Sequence, residues 1–105
     1  MIDHMSFGIA DFAKSTAFYD AALAPLGMSR LFDVPLEHTG GVNVTGYGID
    51  RPIFWIAAEK PTRGLLHVAF QAGSRDAVDA FYHAAIAAGG TDNGAPGPRP
   101  HYHAD

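Results

Sequence analysis

Hydrophobic and polar positions along this chain follow two alternating rhythms, one of period two and one near 3.6. From residue 2 to 9, Met5, Phe7 and Ile9 fall on one side of an extended chain and His4, Ser6 and Gly8 on the other, which predicts a strand. Asp11 is placed to cap a helix in which Phe12, Thr16, Tyr19, Leu23 and Leu26 recur at helical spacing, and Pro25 with Gly27 predicts its end. A strand over Met28 to Val34 follows. Two more, over 41–47 and 52–57, flank Gly48-Ile49-Asp50-Arg51, which has the chemistry of a hairpin turn. Residues 1–60 therefore read as a β-α-β-β-β module, and Glu59 to Arg63, with Pro61, as a connector.

The pattern then starts again. Over 65–72, Leu66, Val68 and Phe70 alternate with His67, Ala69 and Gln71, which predicts a second opening strand. Ser74 is its helix cap, Val78, Phe81, Tyr82, Ala85 and Ile86 form the stripe expected to be buried, and Gly89-Gly90 is the stop. An ungapped offset of 63 residues places His4 on His67, Phe7 on Phe70, Ala17-Phe18-Tyr19 on Ala80-Phe81-Tyr82, and Gly27 on Gly90. Alanine matches weigh little in an alanine-rich chain; the His, Phe, Phe-Tyr and Gly matches carry the duplication. Two copies at this spacing suggest paired modules in place of a many-copy solenoid. The second module, 64–105, continues into the Gly- and Pro-rich stretch 89–100 and by its own repeat is about two strands short, so the expectation is one domain, 1–105, with an incomplete second half.

Composition narrows the function. A chain of 105 residues can bury an ordinary single core without staples. Seven basic against eleven acidic residues give a net charge of −4, which argues against nucleic acid as a partner. No apolar run approaches the roughly 18 residues of a membrane span, and no basic segment precedes an apolar one at the start, so the expectation is a cytoplasmic protein with no membrane partner. With no cysteine, thiolate nucleophiles and thiolate-held metals are excluded, leaving six histidines and the carboxylates to supply metal-ligand chemistry.

His4 and Asp11, the helix bearing Ala17-Phe18-Tyr19 and the Leu26-Gly27-Met28 ending, together with Leu66-His67-Val68-Ala69-Phe70, resemble the vicinal oxygen chelate superfamily of glyoxalases, bleomycin-resistance proteins and extradiol dioxygenases. The resemblance runs over nearly the whole chain. It implies an α+β fold of paired βαβββ modules whose sheet forms a half-barrel with helices outside, often completed by a homodimer around a divalent metal. It also implies that His4 and His67 stand where family members donate imidazoles. The carboxylate that such relatives carry on the fourth strand has no counterpart in Ile53-Phe54-Trp55-Ile56, and the closing glutamate is expected beyond Asp105. Two histidines and one oxygen would suit Fe, Mn, Zn or Ni. The activity implied is of lyase or dioxygenase type, on a small molecule with adjacent oxygens. The alternative is a metal-free small-molecule or antibiotic binder of the same fold.

Each candidate has a plainer reading. A lone histidine in a strand is more often a neutral imidazole bonded to backbone, and only the equivalence of His4 and His67 under the repeat makes the pair ligand candidates. Trp55 is a candidate wall of a substrate cavity or a core residue. Arg99, amid prolines, is a candidate for an anionic substrate group or a solvated loop residue. His101 and His103 lie two apart and would share a strand face, which would allow metal binding, and His103 is a candidate substrate contact, against the plainer reading of a chain end. His38 and His83 read as surface residues, and Tyr19 and Tyr82 as packing.

Overall fold

The computed structural model describes residues 2–64, 66–91 and 96. Its elements are β1 (Met5–Gly8), α1 (Phe12–Leu23), β2 (Ser29–Asp33), a short α2 (Leu36–Thr39), β3 (Val44–Gly48), β4 (Pro52–Ala57) and α3 (Arg75–Ala87), with a 3₁₀ turn, Ala24–Leu26, after α1. The four strands form one open mixed sheet in the order β1-β4-β3-β2. β1 runs parallel to β4, Met5 opposite Phe54 and Gly8 opposite Ala57, while β3 is antiparallel to both β4 and β2. The fold class is thus α+β, a β-α-β-β-β unit with α3 packed on α1.

Helix boundaries follow local chemistry. The Asp11 carboxylate accepts the Lys14 N–H at 3.0 Å, and the Ser74 hydroxyl accepts the Ala77 N–H at 3.1 Å, each satisfying a donor with no intrahelical partner. α1 ends in the 3₁₀ turn containing Pro25, and Gly27 takes the left-handed conformation, φ 79°, that closes it.

Strand parity decides what the sheet buries. Phe7 of β1, Thr45 and Tyr47 of β3, and Phe54 and Ile56 of β4 face α1; of these, Thr45, Tyr47, Phe54 and Ile56 are buried together with Leu23 and Met28. Phe54 is the centre of this layer, with ring centroids of Phe7, Tyr19 and Phe70 at 5.4, 5.0 and 5.0 Å. Burying one such ring is worth about 1.5–3 kcal/mol, and edge-on contacts of this kind add to it. At the margin of the layer, the Tyr47 hydroxyl donates to Asp20 Oδ1 at 2.9 Å, and Arg30 Nη2 donates to Asp20 Oδ2 at 2.6 Å, tying α1 to β3 and β2. Burial, with the Asp20 carboxylate beside it, pushes the Tyr47 phenol well above its ordinary value.

On the opposite face the small residues are filled from within the sheet. Gly46 stands opposite Trp55, and a Cβ there would come within 2.8 Å of the indole, so the glycine lets Trp55 lie across β3. Phe32 of β2 meets the same indole edge-on at 6.2 Å and is itself half exposed. Over β3 that face is therefore covered by Trp55.

Three expectations differ from the structure. The first strand covers 5–8 instead of 2–9. Residues 66–72 form no strand, because among the described residues no chain pairs with them; Val68 and Phe70 nevertheless pack on the core. The α3 stripe is half covered, since α3 packs on α1 with no second sheet beneath it among the described residues: Phe81, Tyr82 and Ala85 are partly buried, whereas Val78 and Ile86 are exposed.

Two outcomes are expected. Gly46→Ala should lower unfolding free energy by about 1–3 kcal/mol in urea denaturation, the usual cost of overpacking, and the Gly46→Ala/Trp55→Ala double variant should lose less than the sum of the singles. Tyr47→Phe should cost about 1–3 kcal/mol, as for a buried bond to a charged group. Because the folded phenol is raised, its contribution is intact below about pH 10, the unfolded tyrosine value, and declines above it. Stability measured from pH 8 to 11 should therefore fall less steeply in Tyr47→Phe.

Candidate functional site

The parallel pairing of β1 with β4 sets the N-terminal ends of both strands side by side, and charged groups gather there. The ladder begins only at Met5 opposite Phe54. Neighbours on a regular strand point to opposite faces, so the departure from strand geometry before Met5 is what lets two successive side chains meet. His4 Nδ1 lies 2.7 Å from Asp3 Oδ2. Arg51, the residue before β4, reaches back with Nη2 2.7 Å from Asp3 Oδ1 and 3.4 Å from the Asp3 carbonyl. Asp3 thus holds an imidazole with one oxygen and a guanidinium with the other. The hydrogen bond from His4 and then that from Arg51 hold its carboxyl below the usual aspartate range. All three side chains are more than half exposed, so the cluster contributes position more than stability.

His67 is exposed within the unpaired segment 66–72. Trp55 is half buried on the sheet face away from α1. Arg99, His101 and His103 lie outside the described residues. His38 is exposed on α2 and His83 on α3, and Tyr19 is packed into the aromatic layer, its phenol raised by burial. Among the described residues no three His, Cys, Asp or Glu side chains come together as a group that could hold a metal ion. The chemistry of the donors present does fit one imidazole ligand: with Nδ1 engaged by Asp3, His4 is left with Nε2 to offer, the arrangement in which a carboxylate orients a ligating histidine.

A separate cavity of about 630 Å³ opens where the β3–β4 turn faces the segment 69–73. Leu26, Met28, Ile53 and Phe70 give it apolar walls, and Asp50 and Arg51 stand on its rim; neither His4 nor His67 lines it. Its size and mixture of apolar wall with few polar groups suit a small organic ligand. Arg51 is common to the cavity and to the Asp3–His4 cluster.

Sequence reading missed Asp3, Arg51, Asp20, Arg30 and Tyr47. Asp20 follows Thr16 by four residues on the helix face turned to the sheet, a periodic signal that was available. Asp3 and Arg51 carried none, since only the parallel register makes them neighbours.

The model of the Glyoxalase/Bleomycin resistance protein/Dioxygenase superfamily matches residues 1–105, the whole chain, and the βαβββ sheet is the half module that such a chain should contain. The protein belongs to that superfamily, the vicinal oxygen chelate group. No curated protein matches the chain significantly. No helix among the described residues is long and apolar enough to cross a membrane.

The Asp3 carboxyl should titrate below ordinary aspartates when followed by carbon-detected NMR. Arg51→Ala should move it upward, and His4→Ala should move it upward as well.

Proposed function

We propose that this domain binds a small molecule with adjacent oxygens at a divalent metal centre to which His4 and His67 donate imidazoles, in an enzyme of lyase or dioxygenase type. The observation that carries the reading is the 2.7 Å contact between Asp3 and His4 Nδ1, which leaves Nε2 exposed as a ligand atom. A further oxygen donor has to come from beyond the described residues or from a second copy in a homodimer. Fe, Mn, Zn and Ni all suit such a set. The ion would supply Lewis acidity toward the two substrate oxygens. The chain's own part is to orient His4 through Asp3 and to present an apolar sheet face, with Phe32 exposed and Trp55 half-buried on it, against which a substrate body can rest. A cytoplasmic location belongs to the same reading.

A second reading, a metal-free binder of a drug-like or aromatic molecule, is favoured by the 630 Å³ cavity, whose lining mixes apolar with polar residues and includes neither histidine. Metal analysis of the purified protein separates the two. The first expects near-stoichiometric divalent metal, lost on His4→Ala and on His67→Ala alike. Protein that stays metal-free after incubation with Fe(II), Mn(II), Zn(II) and Ni(II), yet binds an aromatic ligand in isothermal titration calorimetry with affinity lost on Phe70→Ala, supports the second and overturns the first.

A further inference from the structure

Arg51 and Asp3 do more than form an exposed ion pair, because the second oxygen of the same carboxylate is committed to a histidine. We propose that Arg51 and Asp3 are positioning residues that set the tautomer of His4, Arg51 holding the Asp3 carboxylate and that carboxylate taking the proton on Nδ1, so that Nε2 carries the free lone pair. The inference deepens the metal reading above and rests on it for what the lone pair is used for.

Three geometric facts support it. Asp3 Oδ1 faces Arg51 Nη2 at 2.7 Å while Oδ2 faces His4 Nδ1 at 2.7 Å, so the carboxylate bridges the two groups without sharing an oxygen between them. Arg51 makes a second bond, to the Asp3 carbonyl at 3.4 Å, so it fixes the backbone that carries the carboxylate as well as its side chain. The three residues come from two segments joined by the β1–β4 ladder, whose first pair is Met5 with Phe54, so the bridge sits at the end of a rigid element. A neutral imidazole has one N–H and one lone pair, and the group bonded to one nitrogen dictates which is which. An acceptor-only carboxylate at Nδ1 assigns the proton there. Arg51 acts through Asp3 and touches nothing on the imidazole.

Long-range ¹H–¹⁵N correlation of uniformly ¹⁵N-labelled protein, at a pH where His4 is neutral, reads the tautomer directly and needs no metal. Wild type should show His4 mainly as the Nδ1–H form. Asp3→Ala should shift it toward the Nε2–H form that histidine prefers in water, Asp3→Asn should shift it the same way because Arg51 takes the amide oxygen and turns the NH2 donor toward Nδ1, and Arg51→Ala should give an intermediate mixture. Ni(II) titration should show Asp3→Ala weakened by about 10–100-fold, the range for loss of a group that orients a metal-bound histidine. A wild-type His4 found mainly as Nε2–H, or a tautomer unchanged in Asp3→Ala with wild-type backbone spectra elsewhere, overturns the proposal. The wild-type Nδ1–H form in a protein that binds none of Fe(II), Mn(II), Zn(II) and Ni(II) upholds the positioning and overturns the metal reading alone.

Discussion

The parallel ladder between β1 and β4 is the constraint on which the rest of this domain depends. Parallel neighbours cannot be joined by a tight turn, so the chain between them has to leave the sheet, cross one face and return. α1 makes the crossing and β2 and β3 fill the return, which produces the order β1-β4-β3-β2 and puts a helix over one face. The same ladder brings together two strand beginnings that are 48 residues apart in sequence, Asp3 and Arg51.

The two faces of the sheet are consequently unlike. Toward α1 the aromatic layer around Phe54 is closed, and it draws in Phe70 and Phe81 from the second half of the chain. That contact holds the second half to the first although residues 66–72 pair with no strand. Away from α1 the face has no layer above it among the described residues. Phe32 and Ile53 are exposed there, and Trp55 fills the space over Gly46. Aromatic side chains left on an open sheet face are the kind of wall a small molecule or a second sheet covers.

Charge is distributed to match. The Asp20–Arg30–Tyr47 network stands at the border of the closed face and locks helix to sheet. The Asp3–Arg51–His4 cluster stands in solvent at the strand ends, where it can orient a group toward a ligand at little cost in desolvation. One carboxylate network therefore ties helix to sheet, and the other joins two strand beginnings in solvent.

Much of this fold was legible from residue order alone. Asp11, Pro25-Gly27 and Ser74 act on their own neighbours, so caps and stops were readable locally, and the turn chemistry of Gly48-Ile49-Asp50-Arg51 marked a strand on either side of it. The repeat of His4 at His67 was likewise a property of the chain itself, and the family it suggested is the one the chain belongs to. Whether residues 66–72 form a strand was not readable, because a strand exists only with a partner to take its hydrogen bonds. Nor was it readable that Gly46 makes way for Trp55, or that Asp3 meets both His4 and Arg51. Those contacts join positions whose distance in space is decided by strand order and register, and no local pattern encodes either one.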